Sequence, residues 1–127
     1  MRRTDILDPL TKNIIRCIIT VHRVLGPGFI ESIYRRALVI EFENQGLRVE
    51  AEKRVLIHYE NRVVGQHRLD LVIADKVVVE LKAVRKLHPV HYSQLRSYLK
   101  AARLRTGLLV NFSTERADYR RISITLD

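Results

Sequence analysis

Apolar residues along the chain change their period twice. Leu10, Ile14, Cys17, Val21 and Leu25 recur at three- and four-residue steps, the spacing of one face of an α-helix. Asp8-Pro9 before them reads as an N-cap followed by proline at the first helical position, and "GPG" at 26–28 ends the run. A second helix is expected from about Phe29, with Ile30, Ile33, Ala37 and Ile40 inward and Gly46 at its C′ position. From Val49 the period shortens. Val49–Tyr59, Val63–Ile73 and Val77–Val84 read as three strands joined by "ENR" and "ADK". Helical spacing returns in "HPVHYSQLRSYLKAAR" (88–103), with Leu95, Leu99 and Ala102 inward. "TGLLVNF" (106–112) reads as a short buried strand, and Ile122–Ile124 offers a further edge. The order α-α-β-β-β-α-β, without repeat or linker, predicts one α/β domain over residues 1–127, a mixed central sheet flanked by helices.

The length of 127 residues allows one compact domain with its own core. The aliphatic runs are too brief or too interrupted to cross a bilayer. The first twenty residues mix charged and apolar groups, Asp5 and Asp8 among them, and do not read as a secretory signal. Cys17, the only cysteine, excludes an internal disulfide and suits a reducing cytoplasm; on the apolar helix face it reads as a packed small hydrophobe. Charge changes the picture more. Twenty-three Lys plus Arg against fourteen Asp plus Glu give +9, an excess that favours a polyanionic partner, nucleic acid first, through counterion release. The cations are spread as doublets, Arg2-Arg3, Arg35-Arg36, Lys53-Arg54, Arg85-Lys86 and Arg120-Arg121. Dispersed charge of this kind is also what a solvated surface carries.

Within "VVVELKAV" (77–84) a carboxylate and an ammonium interrupt an apolar strand. Alternation sends Glu80 and Lys82 to one face, Val79 and Leu81 to the other. The valines suggest cover on both faces, where a lone charge is costly, so the pair either neutralises itself or acts together. The connection before it decides which acid faces Glu80. A two-residue turn at Asp75-Lys76 sets residue 71 opposite Glu80 and turns Asp70 away. A three-residue connection, Ala74–Lys76, pairs Asp70 with Glu80 and Arg68 with Lys82. The lack of Asn-Gly or Asp-Gly favours the longer one. Directly paired side chains start about 5 Å apart at Cβ. Two carboxylates there repel, and a hard divalent cation relieves them, since Mg²⁺ takes one or two carboxylates plus phosphate and water oxygens. Asp70 and Glu80 are therefore candidate metal ligands. The structural alternative pairs Asp70 with Arg68 or Lys82 and leaves Glu80–Lys82 as a partly exposed ion pair.

Asp70, followed by "ELK" at 80–82 on the next strand, resembles the PD-(D/E)XK nuclease superfamily. "GFIESIY" (28–34) places Gly28, Glu31 and Tyr34 in the pattern that names its GxxExxY group. With "VVVELKAV", "PVHYSQLRSYLK" and "GLLVNF" it resembles that group in order and spacing over roughly residues 8–115, with Leu69 where many members have proline. The resemblance implies a restriction-endonuclease-like fold and a nuclease that uses Mg²⁺ or Mn²⁺ to hydrolyse phosphodiester bonds, DNA favoured. By position, it implies that Asp70 and Glu80 hold the metal and that Lys82 orients the attacking water or stabilises charge on the phosphate. Glu31 matches a further acid brought from a helix; alternatively it caps its own helix or complements the macrodipole. Gln94 and Tyr98 lie on one helical face and match a Gln-x-x-x-Tyr element beside the site; the alternative is a polar helix flank.

The other polar residues point less sharply. His88 and His91 are spaced like a zinc pair but lack a partner pair; His91 either orients the helix start or touches a phosphate. Tyr34 suits the core with its hydroxyl bonded. Arg96, Lys100 and Arg103 form a basic stripe, a solvated face or a backbone contact, and Arg85 joins Arg96, Lys100 and His91 as a candidate nucleic-acid contact. No membrane partner is expected. A domain this small encloses little of a duplex, which leaves a place for a homodimer or a partner protein. The alternative to a nuclease is a non-cleaving nucleic-acid-binding module on the same fold.

Overall fold

The structure, a computed structural model, describes residues 8–127, and the Arg2-Arg3 doublet lies outside them. Asp8 caps the first helix, α1 (Pro9–Leu25), accepting from Thr11 N–H at 2.8 Å. Ile14, Cys17 and Val21 are buried as expected, joined by Ile15 and Ile18, while Leu10 and Leu25 only lean on the core. Burial, and Glu41 after it, push the Cys17 thiol up to about 11, which keeps it protonated and inert.

The second helix, α2 (Glu31–Asn44), buries Tyr34, Leu38 and Phe42. Here the sequence expectation is corrected: Ile30, Ile33 and Ile40 are exposed, and of that set only Ala37 packs against the core. Tyr34 sets the rotation. Its hydroxyl donates to Gly26 O at 2.5 Å and accepts from Phe29 N–H at 3.2 Å, and its ring stacks on Phe112 at 4.3 Å. A buried aromatic that satisfies its hydroxyl outweighs a run of isoleucines. Gly28, at φ 115°, lets the loop enter the helix through a conformation that L side chains avoid.

Five strands form one sheet in chain order: β1 (Val49–Tyr59), β2 (Arg62–Ile73), β3 (Val77–Lys82), β4 (Thr106–Asn111) and β5 (Asp118–Ser123). Only β3 and β4 run parallel, joined by the third helix, α3 (Pro89–Ala102). The first turn takes two residues, not three: Glu60 and Asn61 are both left-handed (φ 49° and 64°), and Arg62 already belongs to β2. The third strand is shorter than Val77–Val84. The buried Asn111 side chain accepts from Val84 N–H and donates to Val84 O, holding the chain where it leaves the sheet. The edge strand β5 begins at Asp118, earlier than expected.

One sheet face carries Leu71, Val79, Leu81 and Val110 against α1 and α2; the other carries Val72, Val78 and Leu109 against Leu95 and Leu99 of α3. Gly107 permits that second contact, since a Cβ there would stand 3.1 Å from Leu95. The β1–β2 ribbon does not keep its faces. Val49, Leu71 and Ile73 pack with α1 and α2, yet Val55 and Leu69 pack with α3, although strict alternation would keep Leu69 beside Leu71. The switch falls between the pairs Ala51–Leu71 and Lys53–Leu69, where Glu52 has φ 55°. Asp70 sits at that switch. Among the described residues, no helix is long and apolar enough to cross a membrane.

Two outcomes follow for stability. Replacing Glu60→Asn together with Asn61→Gly supplies the residues that a doubly left-handed turn favours, and urea denaturation should show a gain of about 1 kcal/mol. Tyr34→Phe leaves Gly26 O and Phe29 N–H without the hydroxyl and should cost about 1–2 kcal/mol in the same measurement.

Candidate active site

The connection between β2 and β3 is the three-residue Ala74–Lys76, with pairs Ile73–Val77, Val72–Val78 and Leu71–Val79. One step further sets Asp70 across from Glu80, as the sequence arithmetic requires. At that step the backbone ladder gives way to side chains. Asp70 N–H donates to Glu80 Oε1 at 3.1 Å, and Leu81 N–H donates to Asp70 Oδ2 at 2.8 Å. Each acid thus accepts a main-chain N–H from the strand opposite its own. The cause is the ribbon switch: β2 turns away from β3, and the freed donors on that edge of β3 still need acceptors. Ala83 N–H, next along the same edge, is close enough to the Glu31 carboxylate, in the first turn of α2, to lower its pKa.

Burial and charge act strongly here. Glu80 is 5% exposed, and burial first, then Asp70, push its carboxyl up to about 8, against the pull of Asp70 N–H and Lys82. Glu31 is raised as well, by burial and then by Asp70, with Lys82, Ala83 N–H and Arg35 opposing. Arg35, one helical turn after Glu31, reaches Asp70 Oδ1 at 3.9 Å and Glu52 at 3.5 Å; Arg68 adds a second contact to Glu52 at 3.7 Å. Lys82 ends β3, half-buried on the same face as Glu80.

From the other side α3 brings Tyr98. Its ring stacks on His67 of β2 at 3.6 Å, and burial, then Glu80 and Asp70, raise its hydroxyl pKa. His67 is lowered by burial first, with Asp70 opposing and Lys82 adding, and its Nε2 is buried without a hydrogen-bond partner among the described residues. Gln94 is half-buried one turn before Tyr98. His91 orients the helix start: its Nδ1 accepts from His88 N–H at 3.1 Å, and burial, Lys82 and His88 lower its pKa. Arg85, Arg96 and Lys100 are exposed, the first in the connection after β3 and the other two on α3.

The structure therefore gathers Asp70, Glu80, Lys82, Glu31 and Tyr98 where β3 leaves the sheet, with Gln94 and His91 on the neighbouring helix. Arg35, Glu52, His67 and Asn111 belong to the same surroundings and escaped the sequence reading. Arg35 carries a usable signal, its four-residue step from Glu31, and Asn111 is a polar residue inside an apolar strand. Glu52 and His67 carry none, because the face switch brings them in.

The donor set suits a hard cation. Asp70 spends Oδ2 and Glu80 spends Oε1 on main-chain hydrogen bonds, which leaves Asp70 Oδ1 and Glu80 Oε2 as oxygens of the kind Mg²⁺ prefers. No three His, Cys, Asp or Glu side chains among the described residues converge into a ready cage. Two carboxylates completed by water and phosphate oxygens remain the matching arrangement.

The crystal structure of SSO0001 is similar to this chain, with a TM-score of 0.58 at 26% identity. The likeness covers 76% of this chain and 50% of that one, so the chain spans about half the length of that protein. Comparison with curated proteins finds none that matches. The PD-(D/E)XK nuclease superfamily matches residues 8–122, from the cap of α1 into β5. The chain belongs to the PD-(D/E)XK nuclease superfamily.

Proposed function

We infer that the chain is a metal-dependent nuclease of the GxxExxY group, acting with Mg²⁺ or Mn²⁺ on phosphodiester bonds, DNA favoured, in a reducing cytoplasm where Cys17 needs no partner. One observation carries the reading: Asp70 and Glu80 are locked side by side through main-chain N–H groups, each keeping an oxygen, with Lys82 on the same face. Gly28 at φ 115° and the buried Tyr34 that ties its loop support the group assignment, since both positions do work that few residues can do.

A divalent cation held by Asp70 and Glu80 supplies Lewis-acid stabilisation of phosphoryl charge and lowers the pKa of water. The chain's own residues do the rest. Glu80, raised by burial and by Asp70, is unfavourable as a bare carboxylate, and a positive charge beside it restores the ionised form. Lys82 holds a water, or donates to phosphate oxygens as charge grows on them. Arg35 holds Glu52 and stands near Asp70, fixing the carboxylate at the ribbon switch. Glu31, at the start of α2, stands near the exit of β3 and feels the charge of Lys82. Tyr98, Gln94 and His91 close the α3 side, where a scissile phosphate is to be oriented.

The deciding experiment is a Mn²⁺ soak of crystals read by anomalous scattering, paired with cleavage assays on DNA and RNA. A peak between Asp70 and Glu80 is expected, together with cleavage that Glu80→Gln abolishes. Gln keeps an acceptor for Asp70 N–H, so the fold survives this change. Lys82→Ala should keep the Mn²⁺ peak and cut kcat by about 10²–10³-fold. No peak, with nucleic acid still bound and uncut, would assign the protein to the non-cleaving binding modules.

Without metal, the stability of the protein should depend on pH through Glu80. Its folded carboxyl is raised to about 8 from 4.5, so the stabilisation is present in full below 4.5 and is lost as pH climbs through 8. The melting temperature of the metal-free protein should fall across that window. Glu80→Gln should flatten the fall, and added Mn²⁺ should recover most at the alkaline end. A melting temperature that rises with pH would contradict the buried-acid assignment.

A further inference from the structure

A groove runs between β1 and the C-terminal half of α3. Two clefts make it up, one of about 500 Å3 and one of about 410 Å3, and they share Leu56, His58, Ala101 and Arg103. Its cations are Lys53 and Arg54 from β1, Lys100 from α3 and Arg103 just past the end of that helix. The single acid on its lining, Asp75, is paired with Arg48 at 3.2 Å. Lys53 shares Glu50 at 3.4 Å, whereas Arg54 and Lys100 have no carboxylate within ion-pair distance among the described residues. The floor is apolar, with Val55 buried and Ile57 half-buried, and Leu56, 49% exposed, lies at its margin. At one end stands Tyr98, which also lines the larger cleft and feels the charges of Glu80 and Asp70. Tyr98, stacked on His67, thus stands between the groove and the paired acids.

We propose that this groove holds a single-stranded stretch of the nucleic acid whose scissile phosphate lies at Asp70 and Glu80. The inference rests on the nuclease reading and adds the form of the substrate. An apolar floor between cationic walls matches a strand whose bases turn inward and whose phosphates track the rim. A duplex offers phosphates outward and keeps its bases stacked inside, so it would meet the rim and leave the floor uncovered. The stacked Tyr98–His67 pair adds an aromatic wall between the groove and the acids.

The test is fluorescence anisotropy with a labelled oligothymidylate, an oligouridylate and a hairpin duplex of equal length, in buffer with chelator so that no cutting intervenes. Both single strands are expected to bind at least tenfold more tightly than the duplex. Arg54→Gln with Lys100→Gln should weaken them about tenfold or more and lower the slope of log affinity against log salt by about 1.4, about 0.7 for each cation lost. Arg16→Gln with Arg36→Gln, exposed positions on α1 and α2, makes the same change in net charge and should leave the single strands nearly unaffected. Leu56→Glu should weaken binding without removing a cation. Equal losses from both double variants, or a duplex bound as tightly as the single strands, would overturn the proposal. The assay contains no divalent metal, so a failed nuclease reading shows as an empty Mn²⁺ site while groove binding persists. A failed groove shows as cleavage that the Arg54 and Lys100 changes leave untouched.

Discussion

The structure turns on a shortage of acceptors. Where β2 swings away from β3, the N–H groups of Leu81 and Ala83 lose the strand that would have paired with them, and an unmet donor in a buried place is costly. Asp70 supplies the acceptor that Leu81 lacks, Glu80 answers the N–H of Asp70 in return, and the Glu31 carboxylate stands near Ala83 N–H. The carboxylates stand close because the main chain needs them there. Their mutual repulsion is the consequence, and it makes the place suitable for a cation. Each acid commits one oxygen to the backbone and keeps the other off it.

Much of this was legible in the chain. Asp8-Pro9 and "GPG" bounded α1, and the lack of a two-residue turn signal at 74–76 gave the β2–β3 register and hence the Asp70–Glu80 pairing. The buried face of α2 was not legible from isoleucines, because the rotation depends on where a tyrosine hydroxyl finds Gly26 O, a contact across a loop. Nor was the ribbon switch. Glu52 adopts φ 55° without any residue-type cue, and from that point the faces of β1 and β2 invert. His67 and Leu69 reach α3 only for this reason, so no period-two reading of β2 could have put His67 against Tyr98.

The helices divide their labour around that break in the ladder. From one side α2 delivers Glu31 and Arg35, one acid and one base a turn apart, the first near the exit of β3 and the second beside Asp70 at the switch. From the other, α3 is drawn close to the sheet by Gly107 and lays Tyr98 beside the acids. The parallel β3–β4 pair lies between them, and the cluster forms at its carboxyl end, where α/β sheets commonly carry their ligands. The superfamily match runs over residues 8–122, well beyond the tripeptide.

The sheet order leaves β1 and β5 as its two margins. Each margin carries a basic doublet, Lys53-Arg54 on the first and Arg120-Arg121 on the last. An open strand margin is a template on which a second chain can add its own strand, and clustered cations are one way in which proteins repel that guest. Part of the +9 charge therefore serves solubility, whatever else it binds. The two duties are screened together. Salt that would weaken any polyanion's hold on these cations also lowers the electrostatic fence along the sheet, so conditions that screen the one duty are those in which copies of the chain can most readily approach edge to edge.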